Sequence, residues 1–141
     1  MRVPTSKGSR RPSALALVVA TTLVVTGCAS TESAIRPMAE DALAATRSAE
    51  LGIRLDEEGH IFSTTTRVVL EDMAEQLADT VSQLEQTQAA DVAAERTRVE
   101  TLEAARDAVD AIHLAQAGQE AHAQKELREA ARTLHELAGT R

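Results

Sequence analysis

The chain has 141 residues, a formal net charge of −7 and one cysteine, with one Phe as its sole aromatic residue. A lone cysteine excludes an internal disulfide, and an acidic balance disfavours nucleic acid and anionic lipid headgroups as partners. The length suits one domain once the N-terminal segment is set apart.

That segment differs in kind from the rest. Arg2, Lys7, Arg10 and Arg11 make a basic start with no acid, Pro12 and Ser13 punctuate it, and Ala14 to Thr26 is a nearly unbroken apolar run. A run of about 13 residues fits the hydrophobic region of a signal peptide and falls short of the roughly 20 that a spanning helix needs. It ends in Val25-Thr26-Gly27-Cys28. These residues resemble the lipobox of bacterial lipoprotein signal peptides. The resemblance implies diacylglyceryl transfer to the Cys28 sulfur, cleavage between Gly27 and Cys28, and a lipid anchor of at least two acyl chains of the palmitate kind. Two or more chains hold a protein stably at a membrane, where one does not. It also implies an extracytoplasmic location at the cell membrane. Ala29, where an Asp would retain the protein, resembles lipoproteins moved onward when a host has an outer membrane. Loss of a leader with four cations and no acid takes the net charge from −7 to −11.

Beyond the anchor the pattern is helical. Residues 28–35 read as the lipidated Cys and a small, polar tether, and 36–138 as an all-α antiparallel bundle of three to four helices. Pro37 suits a first helical turn, where its missing N–H costs nothing. Met38, Ala42, Ala45 and Ala49 then recur at three- and four-residue spacing. The stretch Asp56-Glu57-Glu58-Gly59-His60 breaks the period, with Gly59 as a left-handed stop. Ser63, Thr64, Thr65 and Thr66 are N-cap candidates for a second helix with the stripe Leu70, Met73, Leu77, Val81 and Leu84. A hairpin from Ile53-Arg54-Leu55 and His60-Ile61-Phe62 would be marginal in water, so Leu51, Leu55, Ile61 and Phe62 are expected to plug one end of the bundle.

No Gly or Pro separates Gly59 from Gly118. A single helix from Thr66 to Ala117 would be roughly 78 Å long, too long for one compact domain. The small and polar residues 86–91 therefore predict a turn, with Asp91 capping a third helix striped by Val92, Val99, Leu102, Val109 and Ile112. Gly118 predicts a second stop, and Leu127, Ala131, Leu134 and Ala138 a last helix. Charge pairs at helical spacing fit this register: Glu32–Arg36, Glu50–Arg54, Arg96–Glu100, Lys125–Glu129 and Arg132–Glu136. Each is worth only about 0.2–0.5 kcal/mol. Much of the expected core is alanine, which lets helices approach but buries little area, so self-association that completes the burial is a second expectation.

Chemistry is sparse. Of His60, His113, His122 and His135, the pair His113 and His122 would lie about 180° apart on one helix, and no zinc-binding His-x-x-x-His exists. Neither a Gly-x-Ser-x-Gly elbow, a Ser-x-x-Lys motif nor a phosphate loop is present, so no catalytic set, metal site or cofactor is expected. Two acidic features stand out. Asp56, Glu57, Glu58 and His60 are adjacent, so their side chains diverge where a hard cation needs convergence. Glu71, Glu75 and Asp79 fall four apart on one face, one turn after Arg67, and their repulsion invites a cation or a basic partner.

In composition the mature part resembles small Ala-rich helical lipoproteins of actinobacteria, and the likeness carries over no functional residue. A murein-lipoprotein role fits poorly, because the chain ends Gly139-Thr140-Arg141 without the terminal Lys of that family, and Gly59 and Gly118 interrupt any heptad coil. The expected function is thus a non-enzymatic envelope adaptor or interaction module, held at the membrane through Cys28, with an envelope protein or another copy of itself as partner. The alternative is a lipoprotein that binds a cation or small ligand at the acidic turn or the Glu71–Asp79 stripe.

Overall fold

A computed structural model describes residues 31–139, with side chains from Ala34 onward. The lipobox, Gly27 and Cys28 lie outside the described residues. Four helices follow one another: α1 (Thr31–Glu57), α2 (Ser63–Gln86), α3 (Val92–Gln116) and α4 (Glu120–Gly139). The connections are short, so successive helices run antiparallel. Consecutive helices pack, α1 closes the ring on α4, and α1 also touches α3, while α2 and α4 do not meet. The section is therefore a rhombus with α1 and α3 on its short diagonal.

The turns follow from local chemistry. Gly59 and Gly118 have φ of 71° and 81°, the left-handed region that side chains disfavour. Both close the same motif. His60 N–H donates to Leu55 O and Gly59 N–H to Asp56 O, both at 2.8 Å; Gln119 N–H donates to Leu114 O and Gly118 N–H to Ala115 O, both at 2.9 Å. The turn expected near 86–91 is present, and Asp91 Oδ1 accepts from Ala94 N–H at 2.8 Å as the N-cap of α3.

The start of α2 differs from expectation. Phe62, extended at φ −83° and ψ 144°, is its N-cap and offers no side-chain acceptor. Ser63 to Thr66 already lie in the first turn, and the Ser63 hydroxyl instead donates to Asp56 Oδ1 at 3.1 Å across the connection. Phe62 is 83 % exposed and Leu51 is exposed too, so the expected apolar plug does not form. Ile53 closes the core there instead, fully buried one turn before the helix end.

Helix α1 also starts earlier than its sequence suggests. Thr31 opens it and Pro37 falls inside, where it removes one intrahelical donor. Packing explains the extension: Ile35, assigned to the tether, is fully buried against Leu84, Ala94 and Leu102. Gly52 faces α2 closely enough that a Cβ there would lie 3.3 Å from Val69 Cγ1.

The α2 stripe is as expected, with Leu70, Leu77 and Leu84 buried and Met73 and Val81 packed beside them. The α3 stripe holds at Leu102 and Ile112, which are buried, and at Val109, which packs against the core, and is corrected at Val92. Val92 is 87 % exposed at the helix start, and the buried face is Ala94, Thr101, Leu102, Ala104, Ala105, Ala108, Ala111, Ile112 and Ala115. Because α3 touches all three other helices, its smallest side chains must face inward, and the valines turn to the flanks. In α4, Leu127, Ala131, Leu134 and Ala138 are buried as expected.

The ion pairs match the spacing argument only in part. Arg96–Glu100 forms at 2.8 Å, but Lys125 pairs with Glu126 and Arg132 with Glu129, and Glu50 and Arg54 make no ion pair among the described residues; Arg36 pairs with Glu40, and the side chain of Glu32 lies outside the described residues. These side chains are largely exposed, where an ion pair is weak and spacing alone does not select the partner.

Candidate functional site

An open cleft of about 590 Å³ lies at one end of the bundle. The C-terminal ends of α1 and α3 and the N-terminal ends of α2 and α4 bound it, which follows from the antiparallel order. Its base is apolar: Ile53, Leu70 and Ala115, all largely buried. Its walls are polar, with Asp56 from α1, Ser63, Arg67 and Glu71 from α2, Gln116 from α3 and Glu120 from α4.

Thr66 also lines the cleft and is 5 % exposed. Buried threonines in helices ordinarily satisfy their hydroxyl by donating to the carbonyl four residues back. Thr46, Thr80 and Thr101 do so, to Ala42, Gln76 and Thr97, at 2.7, 3.0 and 2.7 Å. Thr66 does not, and its Oγ1 has no hydrogen-bond partner.

The two acidic features of the sequence meet the cleft unequally. Asp56 and Glu71 line it, one from each feature, while Glu75 and Asp79 lie exposed further along α2. The Glu71–Glu75–Asp79 row is thus split: its first member belongs to the cleft and the others to open surface. The acidic turn does not converge. Asp56 accepts from Ser63, Glu57 from the Gln124 amide on α4, and Glu58 lies 3.1 Å from His60 Nδ1. Among the described residues no group of three or more His, Cys, Asp or Glu side chains is arranged to hold a metal ion. His113, His122 and His135 are exposed and lie on separate parts of α3 and α4. Arg67 makes no ion pair with Glu71 or with any other carboxylate within 4 Å among the described residues.

Sequence reasoning missed Arg98 and Asp107. The Arg98 guanidinium donates to both Glu95 carboxylate oxygens, at 2.6 and 2.8 Å, and to Leu84 O at the end of α2, at 3.0 Å. That hydrogen bonding to Arg98 holds the Glu95 carboxyl below its ordinary range. Asp107 is pushed up, first by desolvation and then by Asp110, Glu103, Glu126 and Glu129 around it. The signal for Asp107 was available: Glu103 and Asp110 stand four before and three after it. The contribution of α4 was not, since it depends on packing.

No helix among the described residues is long and apolar enough to cross a membrane. Comparison of the chain with protein-family models, with characterised proteins and with solved structures gave no match.

Proposed function

We propose that this protein is a membrane-tethered, non-enzymatic interaction module of the cell envelope, anchored by a lipid on Cys28. The observation that carries the reading is the sequence Val25-Thr26-Gly27-Cys28 behind a basic start and a 13-residue apolar run. The fold supports it by giving the anchor a geometry. Only two residues, Ala29 and Ser30, lie between Cys28 and the start of α1 at Thr31, a reach of at most about 11 Å over three residue steps. The bundle would stand with the start of α1 and the 87–91 connection toward the bilayer. The cleft end would then face away, roughly 40 Å out along a helix of 27 residues.

An acidic bundle so placed is repelled by anionic headgroups and presents its far end to basic or cationic partners. The test is metabolic labelling with a palmitate analogue, followed by membrane fractionation and cross-linking in intact cells. Label and membrane retention that are both lost in Cys28→Ala, together with a cross-linked partner specific to the anchored form, are the expected result. A wild-type chain that takes no label and stays soluble would overturn the anchor. Self-cross-links alone would replace the adaptor by a homo-oligomer.

A further inference from the structure

We propose that the outer face shared by α1 and α2 is a pairing surface for a second copy of this chain, in a parallel two-fold dimer centred on Leu51 and Val68. The face lies within residues 47–75, so it stands independently of the lipid anchor.

Leu51 and Val68 are 43 % and 54 % exposed, and each points away from the core. Ala49 and Ile53 stand two residues either side of Leu51 and are buried, as are Thr66 and Leu70 around Val68. A step of two residues turns about 200° around a helix, which sets both side chains on the outside. The two lie at one level, because their neighbours Gly52 and Val69 come close: a Cβ on Gly52 would stand 3.3 Å from Val69 Cγ1. Half-buried Leu55 and exposed Phe62 add apolar surface on the side of the connection.

Charge selects the occupant. Helices α1 and α2 are antiparallel, so four residues before Leu51 and four after Val68 fall at one level again, about 6 Å along the bundle. Those positions hold Arg47 and Asp72, both exposed and neither in an ion pair among the described residues. Helix α1 thus offers an aliphatic side chain and a cation, and α2 an aliphatic side chain and an acid, at matching heights. A two-fold axis parallel to the helices keeps every height and sets α1 of each copy on α2 of the other. Leu51 then meets Val68 of the second copy, and Arg47 meets its Asp72. Both contacts occur twice, as an isologous interface requires. An anionic membrane is a poor occupant, because Asp72 and Glu75 stand on the same face.

So few apolar side chains bury less than the roughly 800 Å² per partner of a stable interface, so the pair is weak in free solution. The arrangement puts both α1 starts at the same end. Copies held in one membrane therefore meet at raised effective concentration, a consequence that rests on the anchor where the face itself does not.

The test is sedimentation equilibrium of the full chain, in enough detergent that each micelle holds at most one chain. The wild type is expected to show a monomer–dimer equilibrium. Arg47→Asp and Asp72→Arg each set like charges opposite one another twice, and each should raise the dimer Kd about tenfold. An equimolar mixture of the two variants should return close to the wild-type Kd, because each chain then supplies the charge that the other lacks in both contacts. Mixing does not repair a damaged fold, so this rescue separates pairing from stability. Leu51→Asp should leave only monomer, and Arg128→Asp, exposed on α4, should leave the equilibrium unchanged. A wild type of constant monomer mass at every concentration would overturn the proposal. A dimer that neither charge reversal weakens, or a weakening that persists when the two variants are mixed, would do the same and move self-association to another face.

Discussion

Arg98 joins two helices with one side chain, since its guanidinium holds Glu95 on its own helix and the Leu84 carbonyl at the end of α2. Arg98→Ala is expected to lower the melting temperature by roughly a few degrees at pH 7, because it frees a helix end and a carboxylate together. The sign with pH follows from Glu95. A carboxyl held below its ordinary value adds stability above that value and loses it as pH falls through the lowered one. The difference between wild type and Arg98→Ala, followed by thermal melts from pH 7 to pH 3, should therefore shrink toward the acid end. Asp107 has the opposite sign. Its pKa is raised by desolvation and by the acids around it, so its ionised form opposes folding and stability falls as pH rises through the shifted range. Asp107→Asn is expected to stabilise the bundle at pH 7 by about 0.5 kcal/mol, the cost of one or two like-charge neighbours at helical spacing. A destabilised Asp107→Asn would show that the carboxylate is needed where it stands.

At the scale of the element, three connections set the length of every helix. The two glycine turns have no atom within 4 Å of a Cβ built on them, so substitution there strains only the backbone. Gly59→Ala and Gly118→Ala are each expected to cost about 1–2 kcal/mol in urea unfolding, the usual penalty for a left-handed residue with a side chain. Asp91→Ala should cost about 1 kcal/mol through loss of the α3 cap. Equal unfolding midpoints for Asp91→Ala and wild type would mean that another acceptor serves Ala94. Helix α2, capped by Phe62 with no side-chain acceptor, is the one open to improvement: Phe62→Asp supplies the acceptor and removes an exposed aromatic ring.

For the whole molecule the decisive feature is the short diagonal. Helices α1 and α3 touch, and both bring small side chains to the same buried cluster, Ala42, Ala45 and Ala49 from one and Ala104, Ala105, Ala108 and Ala111 from the other. Their closeness keeps α2 and α4 apart. Ala108→Leu is expected to force the diagonal open and to cost about 1–3 kcal/mol. The larger side chains of α4 work the other way, and Leu134→Ala should cost about 2–5 kcal/mol by leaving a cavity. Both values are read from urea denaturation. An Ala108→Leu protein as stable as wild type would show that the diagonal has room to spare.

The sequence by itself determined the all-α class, the three turns and the buried stripes of α2 and α4. Each of those rests on local chemistry: glycine in the left-handed region, an aspartate before an apolar period, leucines at helical spacing. Leu102, Val109 and Ile112 marked the inward side of α3 as well, and the tertiary structure alone added the alanines to that face and left Val92 outside. Alanine carries almost no burial preference of its own, so the valines looked like the stripe until three neighbouring helices demanded the smaller surface. Packing also moved the start of α1 back past Pro37, because Ile35 had a place to be buried. The cleft was the least legible feature. Asp56 and Glu71 read as parts of two separate acidic features, and Thr66 as one N-cap candidate among several. Only the antiparallel order brings the ends of four helices together there, and only packing leaves the buried Thr66 hydroxyl without a partner among the described residues.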